Sequence, residues 1–292
     1  MKTYLFEISS SLLFICLILL VSEGCKETNN VNNPASYRLI GLLMYDDGVL
    51  TDSATYKYQG NKLSEGVDYS NYYQDPVRDF YNYPDENSMV VTSFNNTQKY
   101  EYTYLNGQMT GMLLSDLSHN IWEPQQHNTY QYQDGKLVEE IWYFGSNEGL
   151  KPGTKFTYEY EGSKIIRSSI YYAYNSSWQE SIKEEAIYTG NLITKIIQYA
   201  YSDSVYTEFT YIDLQYDGSL LTGYFFYFTN GNELELSYVF SYDDHGNMVI
   251  QESTEWGERI EYVYEEGKGN FQQIQQPGGG IPGCLPLPWP NK

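Results

Sequence analysis

The chain of 292 residues is 41% apolar and 17% aromatic, and it contains 33 tyrosines. Disordered chains are poor in aromatic residues, so this composition excludes a largely disordered protein and allows one large β domain or two smaller ones. The formal net charge of −21 repels phosphate backbones and anionic headgroups. It therefore excludes nucleic acid as a partner and disfavours docking of the protein surface on a membrane.

The amino terminus has the features of an export signal. The apolar run at residues 12–21 is too short to span a bilayer and has the length of a signal-peptide core. Ser22, Glu23 and Gly24 lead from this run to Cys25, an arrangement that resembles a bacterial lipobox. The resemblance implies that residues 1–24 are a lipoprotein signal peptide, cleaved before Cys25, and that Cys25 is acylated. The alternative is an ordinary secretory signal followed by an incidental cysteine.

Residues 25–36 are polar and rich in asparagine, as expected of a tether between a lipid anchor and a folded domain. Together with the signal peptide, this segment predicts an outer-membrane lipoprotein that faces the cell surface or the periplasm. Its contact with the membrane is then made through the lipid anchor alone.

A short pattern recurs from there to residue 271: two tyrosines two residues apart, a turn glycine and an aliphatic residue. A clear copy is Tyr158-Glu-Tyr160-Glu-Gly162-Ser-Lys-Ile165. From Gly107 to Gly246 the repeat glycines are 28, 27, 28, 28 and 28 residues apart. A degenerate copy carries Asn87 at the glycine position, and Asp47-Gly48 has the pattern of the first turn of the array. The full set of repeat glycines is Gly60, Gly107, Gly135, Gly162, Gly190, Gly218, Gly246 and Gly267.

A fixed period of this length predicts a repeat architecture. Asn106-Gly107 and Asp134-Gly135 are strong signals for two-residue hairpin turns. Residues 37–271 are therefore predicted to be all-β, a long antiparallel meander of about 16 strands built from 27–28-residue β-hairpin repeats. Because several strands are apolar on both faces, we expect the meander to be curled or barrel-like. A transmembrane barrel is the structural alternative, but polar strands and acidic charge argue against it.

One copy, Tyr242-Asp-Asp-His-Gly246-Asn-Met248, resembles the YD repeat of the RHS family. The resemblance implies hairpins wound into a spiral β shell. In length, and in the absence of an evident toxin domain, the chain is more similar to small YD-repeat-like bacterial lipoproteins of unassigned function.

Residues 272–292 form a Pro/Gly-rich tail in which Pro286-Leu-Pro-Trp-Pro290 predicts polyproline II. We expect this tail to be an extended strap that covers an exposed sheet edge with Leu285, Leu287 and Trp289. The alternative is a recognition peptide for another protein. Cys284 is interpreted as a packed or idle thiol, because nothing nearby in sequence activates it.

The sequence contains no motif of a known catalytic or metal centre. His119, His127 and His245 have no metal-ligand spacing and are interpreted as solvated loop residues, and the paired aspartates of the turns lack the other ligands of a calcium loop. We therefore predict no catalytic residue, no metal and no cofactor, and a protein that is not an enzyme.

Trp122 and Trp178 occupy the same place in two units, at the end of the hairpin opposite the glycine. They are candidates for a rim that contacts a ligand, or else they plug the end of the core. The leading hypothesis is a non-enzymatic binding module for a protein or a glycan. The alternatives are a structural accessory of the envelope without a small ligand and, less favoured, a glycan-active enzyme.

Overall fold

The computed structural model describes residues 37–71, 75–93, 96–146, 148–231 and 233–268. The predicted signal peptide, the tether with Cys25 and the tail with Cys284 lie outside the described residues. Within the described ranges, no helix has the length and apolar character needed to cross a membrane. The same ranges form eighteen β-strands: β1 (Tyr37–Asp46), β2 (Val49–Gln59), β3 (Lys62–Ser70), β4 (Val77–Asp85), β5 (Ser88–Ser93), β6 (Gln98–Leu105), β7 (Gln108–Ser118), β8 (Ile121–Gln133), β9 (Lys136–Ser146), β10 (Gly149–Glu161), β11 (Lys164–Tyr174), β12 (Ser177–Thr189), β13 (Leu192–Ser202), β14 (Val205–Asp217), β15 (Leu220–Phe228), β16 (Glu233–Tyr242), β17 (Met248–Ser253) and β18 (Glu258–Glu266).

The strands form one closed antiparallel sheet. Each strand pairs with its neighbours in sequence, and β1 pairs both with β2 and with β18, so that Tyr37 lies opposite Glu266 and Asp46 opposite Glu258. The predicted all-β meander that curls or closes into a barrel is confirmed. The strands number 18 instead of about 16, because β1 and β18 flank the eight repeat hairpins and complete the ring.

The turns alternate between the two ends of the barrel. One end, named here the glycine end, carries the hairpin turns from Gly60 to Gly246, and the described chain both begins and finishes there. The opposite end, named the link end, carries the connections between hairpins. At His119-Asn120 and Asp203-Ser204 both turn residues have positive φ, as a type I′ hairpin turn requires.

The single 27-residue glycine spacing arises from a change of turn type. Asn106 and Gly107 both have positive φ (52° and 77°), as do Asp134 and Gly135 (51° and 78°), which is the type I′ pattern. At Gly162 the glycine is the first turn residue and has a φ of 59°, the pattern of type II′. The glycine thus moves from the second to the first place of the turn, while the turns themselves keep their 28-residue period.

Each of these hairpins contains a β-bulge close to its turn. In the β10–β11 hairpin, Tyr160 lies opposite Ile165 but Glu159 lies opposite Arg167, so that one residue of β11 is extra. A second shift occurs toward the link end, between Ile170 and Tyr171. Bulges bend a strand and increase its twist, which helps a long meander to curl and close. They also change which residues of a strand face the interior.

The interior of the barrel is packed with side chains. Ile193, Ile212, Leu221 and Tyr224 are at most 1% exposed, and they belong to one core cluster, against which the inward tyrosines pack. Full burial of such a residue contributes about 1.5–3 kcal/mol, so the interior supplies most of the driving force for folding.

In five of the described units, the second tyrosine of the repeat joins neighbouring hairpins at the glycine end. The ladder between β11 and β12 ends at the pair Arg167–Glu185. Beyond it, the Tyr188 hydroxyl donates to the carbonyl oxygen of Ile165 at 2.8 Å. We name this bond the tyrosine latch. The same latch is made by Tyr58, Tyr160, Tyr216 and Tyr242, to the carbonyl oxygens of Leu39, Leu137, Ile193 and Leu221.

Two turns depart from the pattern of the other glycine turns. Asp47-Gly48 is the first turn of the described meander, as predicted, but it joins β1 to β2 at the link end, where the Asp47 amide donates to the carbonyl of Gly257. Asn87, which takes the place of a repeat glycine, does not have positive φ. Its turn is instead held by the Asp85 carboxylate, which accepts a hydrogen bond from the Asn87 amide at 2.8 Å.

The last two repeat glycines also lie in different settings. Gly246 belongs to a longer turn, residues 243–247, in which the Asp243 carboxylate accepts hydrogen bonds from the amides of His245 and Asn247. Gly267 follows β18 and lies beside the Arg38 side chain, so it does not connect two of the described strands.

Candidate ligand-binding surface

Trp122 and Trp178 lie on the outer face of the barrel near the link end. Each is the second residue of its strand, β8 or β12, and each is half-buried. Neither belongs to the core cluster, so neither plugs the interior. Both contact lysines that are two strands away: the Lys99 ammonium lies 5.2 Å from the Trp122 ring centroid, and the Lys155 ammonium lies 5.3 Å from that of Trp178.

These contacts belong to a pattern that recurs every 28 residues on the outer face. On the first strand of each hairpin, one position is usually lysine or histidine. It pairs directly with a position on the second strand that is usually tyrosine. The first strand of the next hairpin then has a large aromatic or aliphatic residue close to its start. We name this set the outer stripe. Its first column is Lys99, His127, Lys155, Lys183 and Tyr211, its second is Ser115, Tyr143, Tyr171, Tyr199 and Tyr227, and its third is Trp122, Leu150, Trp178 and Tyr206.

The side chains of the stripe are in direct contact. The Lys183 ammonium lies 4.4 Å from the Tyr199 ring centroid and 4.3 Å from that of Tyr206. Where the first column has no lysine, aromatic rings stack instead, with centroids 4.8 Å apart for Tyr211 and Tyr227. Cation–π contacts of partly exposed groups are worth about 0.5–1 kcal/mol each. These contacts hold the side chains of the stripe against one another.

The charges of the stripe are locally compensated. The Lys183 ammonium lies 2.9 Å from the Glu185 carboxylate, and the Lys99 ammonium lies 2.8 Å from that of Glu101. Partial burial pushes the pKa of Glu185 up, but the hydrogen bonds and charges of Lys183 and then Arg167 together outweigh it and leave that pKa below its ordinary value. Burial, and then the neighbouring Glu180, raises the pKa of Tyr206. The phenol is therefore neutral at physiological pH.

The histidines are placed differently from one another. His127 was interpreted as a turn residue, but it lies within β8, in the first column of the stripe, and its ring centroid is 5.7 Å from that of Tyr143. Its place at the 28-residue period from Lys99 was the signal that sequence reasoning missed. His119 lies in a link-end turn, and His245 stacks on Tyr37 at the glycine end.

Buried carboxyl groups were not anticipated from the sequence. Glu140 is 1% exposed and accepts hydrogen bonds from the Trp142 indole and from the Tyr158 hydroxyl, the latter at 3.3 Å. Burial raises the pKa of the Glu140 carboxyl to about 7, against the lowering effect of these donors. Glu184 is 0% exposed and accepts from the Ser168 hydroxyl at 2.9 Å. Both carboxyls are therefore enclosed by the barrel and bonded to neighbouring side chains.

A group of acidic residues lies near the link end, where Asp68 is exposed at the mouth of the barrel. Partial desolvation, followed by the charges of Asp79 and Asp52, raises the pKa of Asp68 above its ordinary value. The Asp79 carboxylate accepts a hydrogen bond from the Ser93 hydroxyl. Among the residues that the structure describes, no three histidine, cysteine, aspartate or glutamate side chains are grouped so that they could hold a metal ion.

No protein-family model matches the chain, and no curated protein matches it by sequence. Several solved structures are similar to it in fold. A porin-like protein from Bacteroides uniformis is 14% identical, with 78% of this chain and 96% of that one covered and a TM-score of 0.41. The TcdB2-TccC3 structure is 11% identical, with 77% of this chain but only 14% of that one covered, and a TM-score of 0.41.

A DUF3836 family protein from Parabacteroides distasonis is 18% identical over 25% of this chain and 69% of that one, with a TM-score of 0.21. At these identities and TM-scores the likeness concerns general all-β architecture. The lipobox and YD-repeat resemblances, and the export that the first of them implies, stay predictions from the sequence.

Proposed function

We propose that the protein is a non-enzymatic binding module of the cell envelope that holds a glycan chain against the outer stripe. One observation carries the proposal: on the outer face, aromatic and lysine side chains contact one another at a 28-residue period. The core does not need these residues, because it is packed entirely from the inner face. They are instead the kind of rigid aromatic surface on which binding hot spots are built.

The chemistry of the stripe favours a sugar polymer. Sugar rings combine an apolar C–H face with hydroxyl edges. The stripe offers aromatic faces such as Trp178 and Tyr206 beside amines and carboxylates such as Lys183 and Glu185. Equivalent side chains lie two strands, or about 10 Å, apart, which suits an extended chain. The acidic surface, at a net charge of −21, opposes a polyanion and favours a glycan that is neutral or carries few charges.

The position of the chain ends favours presentation of the stripe away from a membrane. β1 begins and β18 finishes at the glycine end, whereas Trp122 and Trp178 lie near the link end. If Cys25 carries the lipid, the residues between it and Tyr37 span at most about 40 Å. Attachment at the glycine end favours an arrangement in which the Trp-bearing part of the stripe is turned away from the bilayer.

A comparison of matched tryptophan variants tests the proposal. The variant with Trp122→Ala and Trp178→Ala loses two faces of the stripe, whereas Trp256→Ala removes an exposed tryptophan from a link-end turn outside it. Binding of the three proteins is measured on a glycan array and by capture on intact cells. We expect the double variant to lose binding about tenfold or more and Trp256→Ala to match the wild type.

Three outcomes contradict the proposal. If the double variant binds every glycan as the wild type does, the stripe is not the site. If only proteins are captured, the module recognises protein, and if nothing is captured, the barrel is a structural accessory.

A further inference from the structure

The outer face around the closing strands carries exposed apolar side chains that the core does not use. Val239 on β16 and Val263 on β18 are both 41% exposed, although their neighbours in the strand alternation, Phe240 and Tyr262, are buried. Toward the link end the same sector exposes further apolar residues. We name this set the seam track: Val263, Val239, Leu234, Trp256, Leu50 and Val49, which are 41–64% exposed.

We infer that the seam track is the docking surface of the chain's own carboxyl-terminal segment, residues 269–292. The point of departure supports this occupant. β18 ends at Glu266, and Gly267 lies beside the side chain of Arg38 on β1. The chain therefore leaves the barrel at the glycine end, next to Val263, which is the residue of the seam track nearest to that end.

The segment is long enough to cover the track. It has 24 residues, which at about 3.1 Å per residue in polyproline II reach about 74 Å. The path along β18, which has nine residues, is about 30 Å. Leu285, Leu287 and Trp289 can therefore lie at the link end, beside Leu234 and Trp256, without stretching the segment.

Charge and hydrogen bonding point to the same occupant. The segment contains no aspartate or glutamate, and its only basic residue is Lys292, so the acidic barrel does not repel it. Its prolines have no amide hydrogen to donate, and each strand of the described residues pairs with a neighbour on both sides. The expected strap over an exposed edge therefore has no edge to cover. Docking must occur through side chains on an outer face, which is how polyproline II segments bind.

Cys284 allows a direct test, because the chain has only two other cysteines. In the full chain with Cys16→Ser and Cys25→Ser, a benzophenone maleimide is attached to Cys284. After illumination, the cross-linked peptides are mapped by mass spectrometry at several protein concentrations. We expect intramolecular cross-links concentrated on β16–β18 and β1, in the same proportion at every concentration.

Charged substitutions on the outer face provide the matched comparison. Val239→Glu with Val263→Glu should reduce the seam cross-links at least fivefold, whereas Ile187→Glu, at a residue 45% exposed on the outer face of β12, should leave them unchanged. Circular dichroism of each variant establishes that the barrel is folded. Cross-links that fall elsewhere on the barrel, join two chains, or persist in the double variant would overturn the inference. If the double variant does not fold, the distribution of cross-links in the wild-type barrel alone decides.

Discussion

The buried Glu140 makes a sharp prediction about pH and stability. Its carboxyl has a pKa of about 7 in the folded barrel, against 4.5 as its ordinary value. Below pH 4.5 the group is protonated in both the folded and the unfolded state. Between the two pKa values it ionises only after unfolding, so stability falls as the pH rises, and the loss levels off above pH 7. The difference of about 2.5 in pKa, at 1.36 kcal/mol each, corresponds to about 3 kcal/mol.

Glu140→Gln keeps the size of the side chain and its ability to bond Trp142 and Tyr158, but it removes the ionisation. We expect the wild type to lose about 3 kcal/mol more stability than this variant between pH 4.5 and pH 8. Urea unfolding at closely spaced pH values measures the difference, and it cancels contributions common to both proteins, such as that of Asp68.

The matched control is Glu139→Gln, one residue away on the outer face. This variant should retain the pH dependence of the wild type. Parallel stability curves for the wild type and Glu140→Gln would refute the reasoning, because they would mean that the buried carboxyl does not stay protonated in the folded state.

The remaining predictions concern the latch, a turn and the anchor. Tyr188→Phe should lower the free energy of unfolding by about 1 kcal/mol in urea melts, because it removes the bond to the Ile165 carbonyl; an unchanged midpoint would show that the latch is dispensable. Gly190→Ala should cost about 1 kcal/mol or more in the same assay, because Gly190 has a φ of 62°. Asn191→Ala, the neighbouring turn residue, should cost less; equal losses would show that backbone strain is not the cause. Cys25→Ala should move the exported protein from the membrane fraction to the soluble fraction; a variant that stays membrane-bound would exclude the lipid anchor.

The hairpins could be predicted from the sequence because their determinants are local. Asn106-Gly107 specifies a turn within four residues, and the 28-residue period repeats it. Closure could not be predicted in this way. The pairing of Tyr37 with Glu266 joins residues from opposite ends of the domain, and no local pattern encodes it.

Only part of the outer stripe could be predicted from the sequence, because its contacts also depend on how the strands pair. Trp122 and Trp178 stand out by residue type, but Lys99 and Lys155 become their partners only when the strands are laid side by side. Glu140 was missed because the bulge after Leu137 turns it inward in place of Glu139. The 28-residue period did contain the signal, because Glu140 has the same position in its repeat as the buried residues Met112, Ile196 and Tyr224.

The pairing of β1 with β18 has a consequence for how the protein is made. Arg38 and Glu265, which form an ion pair across this seam, are 227 residues apart in sequence. β1 can therefore pair with β18, its second neighbour, only after almost the whole domain has been synthesised. Until then the growing sheet has two unpaired edge strands, and such edge strands promote aggregation. Long-range pairing also slows folding. We therefore expect the newly made chain to depend on chaperones until the ring is complete.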